Sequence, residues 1–225
     1  MKNILDFLTE LNANNNKAWF DAHRKAYKHV QAEFHDFVEK LIRSLSAIDT
    51  QLGNLDVKQC TYRINRDIRF SPDKRPYKNH LGAYVCTGGK KSGMAGYYFH
   101  IEAPQSNFIG NHLLAAGTHC VAPNVLTSMR TEVLDNSEEF IHNVQRASSF
   151  YLDTEGALKN VPKGFPKDFE HAELLKLKDY CLCQEFSTKQ LLSPDLLDFV
   201  VTEFTKTIPF IQQMNKAIVY ELENN

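Results

Sequence analysis

Between Trp19 and Leu45 the chain carries apolar residues three or four apart: Trp19, Phe20, Tyr27, Val30, Phe34, Phe37, Val38, Leu41, Ile42 and Leu45. A stripe at helical period over so long a stretch has to be buried against something, so it predicts a long amphipathic helix and a partner surface for it. Asn14-Asn15-Asn16 precedes the stripe and reads as its cap, because a side-chain oxygen there can accept from the first free backbone N–H groups. His23 falls on the stripe between Phe20 and Tyr27, where an imidazole serves either as a hydrogen-bonded helix residue or as part of the wall of a site. Beyond the helix the pattern changes to period two, with candidate strands at Asp56 to Tyr62, His80 to Thr87, Ala95 to Glu102 and Asn107 to Leu113. The run Gly88-Gly89-Lys90-Lys91-Ser92-Gly93 has hairpin chemistry, which makes its flanking strands antiparallel and a meander the simplest topology.

The second half returns to helices. Pro123 suits a first helical turn and is followed by Val125, Leu126, Met129, Val133 and Leu134; Ser137-Glu138-Glu139 opens another helix with Phe140, Ile141 and Val144. A proline-rich basic loop, Val161 to Asp168, leads to a short helix with Leu174, Leu175 and Leu177. A strand is expected from Tyr180 to Phe186, then a last helix from Ser193-Pro194-Asp195 with Leu196, Leu197, Val200 and Phe204 inside. Helices flanking a strand cluster, instead of alternating with each strand, indicate an α+β fold: an antiparallel meander packed with a long N-terminal amphipathic helix and C-terminal helices. With 225 residues, 43% of them hydrophobic, and no linker-like stretch, residues 1–225 read as one domain.

No apolar run is long enough to cross a bilayer and the first residues lack a signal-peptide layout, so no membrane partner and a cytoplasmic location are expected. The five cysteines, Cys60, Cys86, Cys120, Cys181 and Cys183, are odd in number and contain no C-x-x-C pair, which speaks against a disulfide framework and a zinc ribbon and for reduced, mostly buried thiols.

The charge pattern singles out Arg63 to Lys78. Six cations (Arg63, Arg66, Arg69, Lys74, Arg75, Lys78) stand against two acids (Asp67, Asp73), a local charge of +4 in a chain whose net charge is −1. Such an excess either binds an anion or is neutralised by acids from elsewhere in the fold. Within it, Arg63, Arg66, Asp67, Arg69, Phe70, Lys74 and Tyr77 occupy every fixed position of R-x-x-R-D-x-R-F-x-x-x-K-x-x-Y, and the chain resembles the bacterial conserved-hypothetical family, a domain of unknown function, that carries this signature. The segments Asn14 to Tyr27, Gly96 to Glu102 and Pro162 to Phe165 are similar to the family as well. Two places depart from it. Gly110-Asn111-His112-Leu113-Leu114 stands where a glycine-rich turn ending in an aromatic and a proline is usual, and Asp168-Phe169-Glu170-His171 replaces an Asp-His-Pro. The resemblance implies no activity.

Arginine is a planar fork that grips phosphate or carboxylate with two bonds, so Arg63, Arg66, Arg69 and Lys74, with Tyr77, form the candidate ligand-binding set for a phosphate-bearing small molecule. The competing reading pairs Asp67, Asp73 and Glu102 with Arg66, Arg69 and Lys74 in a structural network. Period two puts Tyr98, His100 and Glu102 on one face of their strand and Tyr97, Phe99 and Ile101 on the other. A phenol, an imidazole and a carboxylate about 6 to 7 Å apart suit a general base with an orienting acid or a pair of metal ligands, so His100, Glu102 and Asp67 are the candidate catalytic residues, for phosphoester hydrolysis. The alternative is a non-enzymatic module in which the arginine segment, with Lys90, Lys91, Lys163 and Lys167, binds nucleic acid or an acidic protein partner. Asp67, Asp73, Glu102 and Lys74 are the residue types of a metal-dependent nuclease, but their spacing matches no nuclease signature. No phosphate-binding loop, dinucleotide fingerprint, nucleophile elbow or H-E-x-x-H is present, so no motif names a cofactor.

Overall fold

In the computed structural model of the chain, residues 1–106 and 108–224 are described. Helix α1 (Lys2–Ala13) buries Ile4, Leu5, Phe7, Leu8 and Leu11. The asparagine triplet then acts as expected: the Asn16 side chain accepts from the Trp19 N–H at 3.0 Å and caps α2 (Lys17–Ala22). The long stripe is carried by two helices, because the chain breaks at His23 before α3 (Arg24–Ile48). His23 stacks on Trp19 with ring centroids 4.0 Å apart, and its Nδ1 lies 2.8 Å from the Trp19 carbonyl oxygen, so it is the hydrogen-bonded helix residue of the two alternatives. Val30, Phe34, Phe37, Val38, Leu41, Ile42 and Leu45 are the buried face of α3.

Five antiparallel strands follow: β1 (His80–Cys86), β2 (Gly96–Glu102), β3 (His112–Gly117), β4 (Tyr151–Leu152) and β5 (Cys181–Phe186), in the order β1-β2-β3-β5-β4. The first three are the expected meander, with the Gly88 to Gly93 turn joining β1 to β2. Two expected strands differ. Over Asp56 to Tyr62 a helical turn, α4 (Val57–Cys60), forms instead: Asp56 accepts from Lys58 N–H at 2.7 Å while Gln59 Oε1 accepts from Asp56 N–H at 2.8 Å. This capping box satisfies the donors locally, and the segment reaches the sheet at its end, where Thr61 bridges to Ala83 and the Tyr62 N–H donates to Gly82 O at 3.4 Å. Asn107, where another strand was expected to begin, lies outside the described residues; β3 starts at His112, after a turn whose amides are bound by a side chain.

The remaining helices are α5 (Pro123–Asp135), α6 (Ser137–Arg146), α7 (Ala172–Leu175), α8 (Thr188–Leu191) and α9 (Leu196–Asn224). Helix α9 packs on α3, α5, α6 and β3. Tyr97, Phe99 and Ile101 are fully buried beneath these helices: Phe99 lies 4.8 Å from Phe37 and Tyr97 5.3 Å from Phe204. A buried ring of this size stabilises by about 1.5–3 kcal/mol relative to an exposed one. The opposite face of the sheet carries Tyr98, Leu113, Ala115 and Cys183 in a second, smaller apolar cluster. The five cysteines are unbridged. Among the described residues no helix is long and apolar enough to cross a membrane.

Candidate anion-binding site

The arginine signature is a loop closed at its base by backbone pairing. Arg66 N–H donates to Pro76 O at 2.9 Å, Lys78 N–H donates to Ile64 O at 2.8 Å, and Asn65 bridges to Tyr77. Ile64 and Tyr77 point inward, where Tyr77 stacks on Phe20 with centroids 3.9 Å apart. The Asn15 side chain grips the Tyr77 backbone at both ends, donating to its carbonyl at 2.9 Å and accepting from its N–H at 3.1 Å. Tyr77 of the signature thus anchors the loop, and the tip from Asp67 to Arg75 projects.

Within the loop the charges divide into an outer and an inner group. Arg69 donates to both oxygens of Asp67 at 3.0 and 2.6 Å, on the outer side next to Phe70, which is 95% exposed. Lys74 Nζ donates to the Ile68 carbonyl at 3.1 Å, and Arg63 makes no ion pair among the described residues. On the inner side Asp73 is shared by two guanidiniums: Arg66 Nη1 donates at 2.7 Å and Arg75 Nη2 at 2.8 Å. Hydrogen bonds from the Arg75 side chain and backbone, with Arg66 behind them, hold the Asp73 carboxyl well below the usual carboxylate range. Arg66 also donates to the Arg75 carbonyl at 3.0 Å, which fixes its plane. Lys78, half-buried, sits 5.2 Å from the centre of the Tyr62 ring.

Arg66, Asp73, Arg75 and Lys78 line an open cleft of about 380 Å³ whose other walls include His80, Ser106 and Phe108. His80 stacks on Phe108, 4.4 Å away, and leans against the tilted ring of His100, 4.9 Å away, and its Nδ1 is buried without a hydrogen-bond partner. His100 and Glu102 lie behind it. His100 is 0% exposed, with Nδ1 2.9 Å from Tyr98 Oη and Nε2 3.1 Å from Glu102 Oε2, so both ring nitrogens are occupied. Glu102 accepts from the backbone N–H groups of Phe108, Ile109 and Gly110 at 2.8, 2.9 and 3.2 Å. Burial alone would raise its pKa, but the imidazole and the Ile109 and Phe108 amides outweigh burial and lower it.

The expected catalytic trio is therefore not brought together at the cleft. Asp67 sits on the outer side of the loop with Arg69, while His100 and Glu102 form a covered pair that shapes the 108–110 turn and supports His80. Nor does Glu102 reach the arginines. Sequence reading missed His80 and Phe108: His80 is cross-strand from Glu102 in the β1–β2 register, and that register is a tertiary fact. Its one signal was its place next to Lys78-Asn79 at the start of a strand.

Burial, then the neighbouring His100 and Lys78, push the His80 pKa down to about 3; burial, then His100, push His112 down to about 4, against an ordinary 6.5 for both. Below about pH 6.5 the unfolded chain takes up two protons that the folded chain refuses, so the unfolded state binds more protons and stability falls as the pH is lowered. The expected slope is up to about 2.7 kcal/mol per pH unit on approaching pH 4.5. Urea-unfolding midpoints measured from about pH 7 downward check this; a flat or rising profile contradicts it.

Fold and site together define the class: an α+β protein with a cationic cleft at the edge of an antiparallel meander. The chain belongs to the family of conserved hypothetical proteins DUF2461, whose model matches residues 3–212. Comparisons with curated proteins and with solved structures found no match.

Proposed function

We propose that the protein binds a phosphate-bearing ligand in the cleft between the arginine loop and His80. One observation carries this reading. Three cations, Arg66, Arg75 and Lys78, face the cleft with one carboxylate, Asp73, and none of the ion pairs among the described residues brings an acid from outside the loop to balance them. The competing structural reading receives two of its acids, Asp73 on Arg66 and Asp67 on Arg69, but not Glu102, so the cleft keeps three cations against one carboxylate, and a desolvated cation without a counter-charge is costly. The guanidinium planes of Arg66 and Arg75, spaced by their shared carboxylate, suit the tetrahedral oxygens of a phosphate. Neutral His80 adds an acceptor or, in its other tautomer, a donor beside them. Binding is favoured over hydrolysis because the cleft's carboxylate is tied to two guanidiniums and the covered His100–Glu102 pair does not reach a ligand. The exposed Phe70 and Arg69 favour, as a second reading, a nucleic-acid strand lying across the loop tip.

Thermal unfolding with inorganic phosphate, nucleoside monophosphates, short oligonucleotides and dicarboxylates at constant ionic strength tests this. A ligand at one hundred times its Kd adds about 2.7 kcal/mol, a rise of roughly 5 to 11 °C in the midpoint for a chain of this size. A rise with phosphate or its monoesters supports the cleft reading. A rise confined to oligonucleotides selects the second reading, and no rise with any member overturns both.

A further inference from the structure

The opposite end of β3 holds a second set of chemically capable side chains. Strands β3 and β5 pair with Gly117 opposite Cys181, and the pairing continues past both: Thr118 N–H donates to Tyr180 O at 3.0 Å, and Tyr180 N–H donates to Thr118 Oγ1 at 3.4 Å. One more step of the same register sets His119 opposite Asp179, and His119 Nδ1 lies 3.7 Å from Asp179 Oδ2. Cys120 follows with φ 57°, in the left-handed region that a side chain with a Cβ adopts at a cost. In extended backbone consecutive side chains point to opposite faces. The left-handed turn instead leaves the Cys120 thiol beside its neighbour, and the ligand atoms of His119, Cys120 and Asp179 all lie within 4.8 Å of one another. The Asp179 carboxylate takes backbone hydrogen bonds from Cys120 and Val121, while its Oδ1 is buried without a partner; His119 and Asp179 line a cleft of about 230 Å³ together with Asp153, Glu155 and Lys178.

We infer that His119, Cys120 and Asp179 bind a divalent transition-metal ion of the zinc type. The donor set is one imidazole nitrogen, one sulfur and one carboxylate oxygen, which suits Zn²⁺ or Co²⁺ and not the all-oxygen preference of Mg²⁺ or Ca²⁺. Bonds of about 2.0 Å to nitrogen and oxygen and about 2.3 Å to sulfur set tetrahedral donors roughly 3.3 to 3.7 Å apart. The three side chains therefore close by about 1 Å on the ion, a movement open to His119 and Cys120 because both are exposed. Binding exchanges the thiol proton for the metal and releases it to solvent. Asp153, Glu155 or water supplies the fourth ligand. Acidic surface clusters occur without ions; the thiol, the strained residue that places it, and the orphaned carboxylate oxygen set this one apart. Local cysteine spacing does not reveal the site, because the fold alone brings Asp179 to the His-Cys pair.

Titration of the full chain with Co²⁺ tests the inference. One ion per chain is expected, with the near-ultraviolet thiolate-to-cobalt band and strong visible absorption of a four-coordinate thiolate site, displaced by Zn²⁺. Cys120→Ser is expected to lose the thiolate band, and His119→Ala and Asp179→Asn to weaken cobalt binding at least tenfold. His119 and Cys120 are exposed, so their variants keep the far-ultraviolet circular dichroism of the parent and remain informative should Asp179→Asn unfold. Absence of a thiolate band in the unmodified chain overturns the inference, as does a band that survives Cys120→Ser, which would place the ion on another thiol.

Discussion

Glu102→Ala is expected to lower the stability of the chain by about 3–5 kcal/mol, the range for removing one partner from a buried ionic cluster. The residue is 2% exposed and is the common acceptor for the backbone amides of Phe108, Ile109 and Gly110 and for the His100 ring. Alanine removes that acceptor and leaves the His100 Nε2 side of the network, 0% exposed, with nothing to bond. The amides of 108–110 belong to exposed residues and can turn to water, which is why the cost stays within this range and does not reach the sum of four separate losses. Glu102→Gln keeps an acceptor oxygen and loses the charge, and is expected to cost about half as much. Urea unfolding of the three proteins checks the order. A loss under about 1 kcal/mol for Glu102→Ala would mean that the turn holds itself without the carboxylate, below the range for a buried partner. The same change also frees Phe108, so the wall of the cleft loosens along with the fold.

The second large effect is on binding. Arg66→Ala is expected to weaken phosphate about 10- to 100-fold, the equivalent of losing a charge-assisted hydrogen bond and the fork that holds it in plane. Arg69→Ala, in the same signature and two residues from Asp67, is expected to leave the affinity within about twofold, because its guanidinium is 76% exposed on the outer side and paired there. The contrast separates local geometry from net charge: each variant removes one positive charge from the same loop, so a purely electrostatic attraction predicts similar losses for the two. Arg66→Lys, which keeps the charge and loses the fork, is expected to fall between them.

The α+β architecture was legible where residues alternate or recur without competition. The stripe on α3 and the split of β2 into Tyr97, Phe99, Ile101 and Tyr98, His100, Glu102 follow from periodicity alone, since a helix returns to one face every three or four residues and a strand alternates its faces. Legibility failed where a side chain took over the backbone's hydrogen bonds. Asp56 and Gln59 cap a single helical turn in a segment whose period-two pattern suggested a strand, and Glu102 binds the amides of 108–110 and delays β3 to His112. At the site, clustered arginines pointed to the right segment, but not to which guanidiniums face inward. That depends on Asp73 lying between Arg66 and Arg75, and on the β1–β2 register that sets His80 opposite Glu102 and beside His100. A polar triad on one face of a strand looked catalytic in sequence; in the fold the 108–110 turn covers it and it becomes support.

The most direct test of the central claim is a calorimetric titration of the full chain with inorganic phosphate at fixed ionic strength, alongside Arg66→Ala and Arg69→Ala. The cleft described here predicts a saturable one-site isotherm for the unmodified chain, nearly the same affinity for Arg69→Ala, and at least tenfold weaker binding for Arg66→Ala. No saturable heat in the unmodified chain, or equal affinities for both variants, would contradict it.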